Sequence, residues 1–171
     1  MQPGDVPVAL VSTLAAANTR PMSATTFWVL GLNWLNVTVT RLGFWQACGA
    51  KVSSMPAQAH DEIFASVSHL PHLLAFALVD ELAARANAAE LFGFAASGFR
   101  DFTRIAGSHP EMWRDIVLAN QSALLVELDT YINQLNKMRS LLQAADGAGL
   151  QAIFTQAQTA RQSWITAIEM A

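Results

Sequence analysis

The sequence predicts a mainly α protein, a bundle of long helices, with a short αβ remnant at its N-terminal side. Three observations carry that prediction. Apolar residues recur every three or four positions from Pro56 to the C-terminus. Glycine and proline interrupt that pattern at only a few sites. Residues rich in Thr, Val and Trp, the composition of strands, are confined to the first part of the chain.

Residues 1–40 form an unassigned N-terminal segment. The stretch "VPVALVSTLAAANTR" has the apolarity of a signal peptide but no basic residue before Arg20, which argues against one. "SATTFWVLGLNWLNVTVT" carries no charge and suits one or two strands. In residues 41–55, "RLGFWQACGA" reads as a short helix ending at Gly49 and "KVSSM" as a strand, together one αβ unit of a parallel sheet.

From Pro56 the period becomes helical. Ile63, Val67, Leu70, Leu74 and Leu78 fall on one stripe of a helix that runs to about Asn87, roughly 45 Å long at 1.5 Å per residue. Pro71 lies inside it. It lacks a backbone donor and crowds the carbonyl of Val67, so a kink is expected there. Residues 88–107 read as helical pieces broken by Gly93, Gly98 and Gly107. Ser108 and Glu111 form an S-x-x-E capping box with Pro110 in the first turn. One long helix then follows on Trp113, Val117, Asn120, Leu124, Leu128, Tyr131, Leu135, Met138 and Leu142, ending at Asp146-Gly147. A last helix carries Leu150, Ile153, Phe154, Ala157, Trp164 and Ile168 on one stripe. Residues 56–171 are thus one helical domain, without internal repeat.

Composition narrows the function. The 171 residues are 53 % hydrophobic and only 13 % charged, against about a quarter charged in typical domains. Such a chain is expected to bury surface against a second domain or subunit. A net charge of -3 offers nothing to nucleic acid. Cys48 is the single cysteine, which excludes a disulfide framework and a thiolate zinc site and fits a reducing, cytoplasmic location. No apolar run reaches the roughly 20 residues of a membrane span.

Against this sparse background, "GFRDFTRIAGSHPEMWRDI", from Gly98 to Ile116, concentrates Arg100, Arg104 and Arg114 with Asp101, Glu111 and Asp115, although the chain has only 10 Lys and Arg. Phe99, Phe102 and Ile105 are expected to face the core and to desolvate the arginines between them, which strengthens a guanidinium as a carboxylate or phosphate binder. A ligand role is favoured for Arg104, since Gly98 and Gly107 leave room beside it. An internal pairing that ties the loop down is favoured for Asp101. Trp113 is either a core residue or a pocket wall. In "SHLPHLLAFAL", His69 and His72 share a helix face at the expected kink, with Ser68 and Pro71 beside them. They are either ordinary polar residues or a pair presented into a cleft. A metal lacks a third ligand, because Asp61 is too far along the helix. "GAGLQA", 147–152, has the spacing of a dinucleotide fingerprint but follows a helix end, so it reads as a helix–helix turn.

"SHLPHLLAFALVDELA" followed by "FAASGFRDFTRIAGSHPEMWRDIVLAN" resembles the helical C-terminal dimerisation domain of the prephenate dehydrogenase family, including its arogenate and cyclohexadienyl variants. "FWQACGAKVSSMPAQAHDEIFASV" is similar to the family's junction between nucleotide-binding and helical domains. The resemblance runs from about Arg41 onward. It marks 41–55 as a remnant of a Rossmann-like domain and 56–171 as the dimerising, substrate-closing part. It implies NAD- or NADP-dependent oxidative decarboxylation of prephenate or arogenate in tyrosine biosynthesis. It also implies a homodimer, with tyrosine as a feedback inhibitor to be considered, and no nucleic-acid or membrane partner. By motif, Arg104 resembles the arginine that pairs with a substrate carboxylate. His72, with His69, Ser68 and Gly98, resembles the cleft lining, Trp113 the pocket tryptophan, and Asp101 a support for the Arg104 loop. A dianionic substrate explains the local charge.

The chain departs from the family in two places. Residues 1–40 show neither the glycine-rich fingerprint nor the catalytic histidine and serine of the family's N-terminal domain, and Ser97 stands where successive glycines are usual. The expectation is therefore a chain with no catalytic residue or metal ligand, its cofactor-binding positions unassigned, that binds no NAD or NADP alone and is inactive alone. A non-catalytic dimerisation module and an aromatic amino acid-binding regulator are the alternatives.

Overall fold

The computed structural model describes residues 8–13, 27–28, 43–46 and 48–170. They fall into two compact units, the first ending at Ala123 and the second beginning at Leu124.

The first unit opens with a small sheet. Strands β1 (Val8–Thr13), β2 (Phe27–Trp28) and β3 (Ala50–Met55) lie in the order β2-β1-β3. A helical turn at 43–46 precedes Gly49, whose φ of 80° lets the chain reverse into β3, as expected from the sequence. The pairing is not the expected one. β1 runs antiparallel to β3, from Val8 opposite Met55 to Thr13 opposite Ala50, so β3 is not part of a parallel αβ sheet. The rest of residues 1–40, with the strands expected there, lies outside the described residues.

Helix α1 (Ala57–Phe64), a π turn (Ala65–His69) and α2 (Leu70–Ala83) form one continuous rod, ending four residues earlier than the periodicity suggested. Pro71 explains the π turn. It cannot donate to Val67, so an α register would leave that carbonyl unpaired and crowded. The chain instead widens one turn ahead of it: the Leu70 amide bonds the Ala65 carbonyl, five residues back. The expected kink is therefore a local register shift, and Pro71 sits harmlessly in the first turn of α2.

The 27-residue rod has a mean hydropathy of 1.4 over its most apolar stretch, enough by length and composition to cross a membrane. This corrects the expectation drawn from uninterrupted apolar runs, since polar residues such as His69 and His72 break the run while its mean stays high. Tertiary hydrogen bonds to His69 and to the Asp61 carbonyl mark the rod as a packing helix of the first unit.

Short helices α3 (Ala88–Gly93) and α4 (Ser97–Thr103) and a 3-10 turn (Arg104–Gly107) follow. Gly98 lies within α4 and does not break it. Helix α5 (Pro110–Ala119) begins with His109 as its N-cap, the ring Nδ1 accepting from the Met112 amide at 3.5 Å. The expected Ser108–Glu111 box is displaced by one residue, because Pro110 takes the first helical position and leaves His109 as the cap. The single long helix expected from Trp113 to Leu142 is interrupted at Asn120, with φ -106° and ψ 30°, so α6 (Gln121–Gln143) is a separate element.

In the second unit, Ala145 takes a positive φ of 50° and Asp146 caps α7 (Gly147–Glu169) by accepting from the Gly149 amide at 2.8 Å. "GAGLQA" is thus the start of a helix, with no strand before it.

Ala65 and Ala75 are the most enclosed side chains of the rod, each 0 % exposed. Ala75→Leu is expected to cost about 1–3 kcal/mol by overpacking, read as a lower urea midpoint at unchanged slope. A midpoint equal to the parent's would show that the rod has slack at this position.

Candidate functional site

The widened turn gathers a polar cluster in the first unit. His69, at its end, is buried (3 % exposed), as are His60 (6 %) and Asn120 (7 %). The Asn120 carboxamide nitrogen donates to the Asp61 carbonyl at 2.8 Å and meets His69 Nδ1 at 3.0 Å. His60 Nδ1 contacts the Asp61 carboxylate at 2.9 Å, and its ring stacks on Phe64 with centroids 4.6 Å apart.

One residue-triplet further on, His72 lies face to face with Trp113, centroids 3.5 Å apart and planes 19° from parallel. Its Nδ1 is 2.9 Å from the Ser68 carbonyl. A carbonyl can only accept, so Nδ1 carries the proton and Nε2 is bare in the neutral ring. Trp113 also meets His69 edge-on at 6.2 Å. The buried Trp113 indole Nε1 has no hydrogen-bond partner among the described residues, and such an orphaned donor calls for a water or a ligand.

The Arg104 charge acts on one ring of this group. Burial pushes the His72 pKa below its ordinary value; the Ser68 carbonyl opposes that shift and the Arg104 charge adds to it. Burial also lowers the His69 pKa, with His60 and His72 in the same direction and Asp61 opposing. Both imidazoles are neutral near pH 7. Among the described residues Arg104 pairs with no carboxylate.

The structure thus brings His69, His72, Trp113 and, through its field, Arg104 together, with Ser68 contributing its main chain. Other expectations take a different form. Arg104 is exposed and Phe102 is 48 % exposed, so Phe102 does not desolvate the arginines from a core position. Asp101 meets Arg100 at 4.0 Å in an exposed pair, where it acts on its neighbour and does not tether a loop. At Gly98 and Gly107 a Cβ would meet nothing, so the chain's own packing does not require glycine at either place. Asp61 joins the cluster, although two helical turns separate it from His69, through its carbonyl. Among the described residues no three His, Cys, Asp or Glu side chains form a metal-binding group. Asn120 was missed as a site residue. Its signal was a polar side chain on an otherwise apolar stripe between Val117 and Leu124.

Residues 56–156 match the family model described as prephenate dehydrogenase, dimerization domain. The chain belongs to that family. The cyclohexadienyl dehydrogenase of Zymomonas mobilis is 37 % identical over 120 residues, 69 % of this chain and 41 % of that one. The prephenate dehydrogenase of Bacillus subtilis is 39 % identical over 108 residues, 63 % of this chain and 29 % of that one. Among solved structures, the A. aeolicus prephenate dehydrogenase in complex with hydroxyphenyl propionate and NAD+ superposes with a TM-score of 0.66 at 36 % identity, covering 74 % of this chain and 44 % of that one. The Synechocystis arogenate dehydrogenase gives 0.65 at 26 %, covering 75 % and 48 %. The chain spans less than half the length of these relatives. The family is one of oxidoreductases, and its helical architecture is the one found here.

The depressed histidines set a pH dependence. The folded state binds protons at His69 and His72 less readily than the unfolded state, whose imidazoles titrate near 6.5. Their stabilising contribution is therefore complete above 6.5 and is lost as pH falls from there toward the folded values. The melting temperature is expected to drop between pH 7.5 and 5.5, and to drop less in the His69→Gln/His72→Gln double variant. Equal slopes would place the titration elsewhere.

Proposed function

We propose that this chain is the substrate-binding and dimerising portion of an NAD- or NADP-dependent dehydrogenase that decarboxylates prephenate or arogenate in tyrosine biosynthesis, in the cytoplasm. The observation that carries the reading is the His72–Trp113 stack with Arg104 acting on the same imidazole. A flat aromatic wall, with an indole donor and a guanidinium that lack polar partners among the described residues, suits a cyclic substrate bearing carboxylates. In this reading Arg104 pairs with a substrate carboxylate, His69, His72 and Ser68 line the cleft, and Gly98 leaves it room. On the same reading the nicotinamide and the hydride-accepting chemistry belong to a nucleotide-binding part outside the helical domain, with 41–55 leading into it. Tyrosine, an aromatic carboxylate of similar outline, would compete for the same wall.

A charge-assisted bond to a carboxylate contributes about 1.5–3 kcal/mol. Arg104→Ala is therefore expected to weaken prephenate binding to the chain at least about tenfold, by calorimetry, with the melting temperature held. Unchanged affinity, or an unfolded variant, would make Arg104 structural.

The same reading makes the chain a homodimer. In the second unit α7 buries none of its residues, and Phe154, Trp164 and Ile168 stand exposed on one stripe. A continuous apolar stripe of this size is matched by a second copy across a two-fold axis. Sedimentation at micromolar concentration should give twice 18.5 kDa, and Trp164→Glu should shift the mass toward the monomer. A monomeric parent would remove the interface.

A further inference from the structure

The Asn120 carboxamide faces two groups at once, and its chemistry leaves one arrangement. The Asp61 carbonyl can only accept, so the group 2.8 Å from it must be the amide nitrogen and not the amide oxygen. That same nitrogen lies 3.0 Å from His69 Nδ1. An NH2 group only donates, so Nδ1 must be the bare nitrogen of His69, and its proton must sit on Nε2. His72 is held the opposite way, with Nδ1 protonated toward the Ser68 carbonyl and Nε2 bare. No described residue hydrogen-bonds either Nε2.

We propose that Asn120 is a positioning residue that locks His69 as a hydrogen-bond donor at Nε2, beside a His72 locked as an acceptor at Nε2. Two neutral imidazoles three residues apart then offer ligand groups of opposite polarity, and the site's positive charge stays on Arg104. The inference rests on the proposed substrate-cleft reading only for its use; the lock itself is a property of the free chain. The groups facing His69 are His60 and Asp61 from α1 and the π turn's approach, His72 from α2, and Trp113 and Asn120 from α5 and its end. Protonating Nδ1 would set two N–H groups against each other, so Asn120 also keeps this ring uncharged.

The test is long-range 1H–15N spectroscopy of the imidazoles in the 15N-labelled 171-residue chain, assigned with single His→Gln variants. At pH 7.5 the parent is expected to show His69 protonated on Nε2 and His72 on Nδ1. Asn120→Asp replaces the donor with an acceptor, so His69 should move its proton to Nδ1 and titrate at higher pH, while His72 keeps its tautomer. A parent His69 protonated on Nδ1, or an Asn120→Asp chain with His69 unaltered, would overturn the lock. If Asn120→Asp does not fold, the parent tautomers decide alone. Prephenate titrated into the same samples separates the two readings: correct tautomers without binding would remove the cleft assignment and leave the lock standing.

Discussion

The site depends on one carbonyl that proline cannot serve. Pro71 has no amide hydrogen for Val67, and the rod absorbs this by widening one turn, Ala65–His69, in place of bending. The extra residue changes which side chains face inward after it. His69 arrives buried at the end of the turn, within reach of Asn120, and His72 arrives one turn later against Trp113 and over the Ser68 carbonyl. The two histidines remain an i, i+3 pair on one face, both meeting Trp113. Their Nδ1 atoms are fixed by different partners, the Ser68 carbonyl for His72 and the Asn120 carboxamide for His69.

The second constraint is the break at Asn120. A helix continued through this position would keep its backbone partners and point the carboxamide along the stripe. The chain instead leaves helical geometry there and spends the side chain on Asp61 and His69, 59 and 51 residues earlier. This is a long-range tie made by a neutral group, and it satisfies three polar atoms in a poorly solvated place, where each would otherwise cost about 1–3 kcal/mol unpaired. Burial lowers the proton affinity of both His69 and His72, and the Arg104 charge adds to the effect at His72, so both rings stay neutral.

Much of this was legible in the sequence, and the failures have physical causes. Helical period placed the rod, the short pieces near Gly93 and the two last helices, because packing stripes are written residue by residue. The motifs around His69, His72, Arg104 and Trp113 gave the family and pointed to residues that three separate elements bring near one another. What failed involved partners distant in sequence or competition within one turn. The antiparallel pairing of β3 with β1 joins residues some forty positions apart, and a lone αβ fragment carries no mark of its neighbour. The cap passed from Ser108 to His109 because Pro110 chose the first helical position. The interruption at Asn120 was hidden because its spacing obeys the stripe while its chemistry does not.

The apolar excess of the sequence finds its place in the same way. Few side chains of the described residues are fully enclosed, and large ones such as Val67, Phe94 and Trp164 stand exposed. A chain that saturated its own core would not leave them so. Val67 lies within the π turn, next to Ser68, whose carbonyl holds His72. A surface that covers Val67 would therefore also stiffen the turn on which the histidine tautomers depend. In a chain of a family defined by its dimerization domain, the exposed Val67 and the carbonyl that orients His72 are adjacent residues of one widened turn.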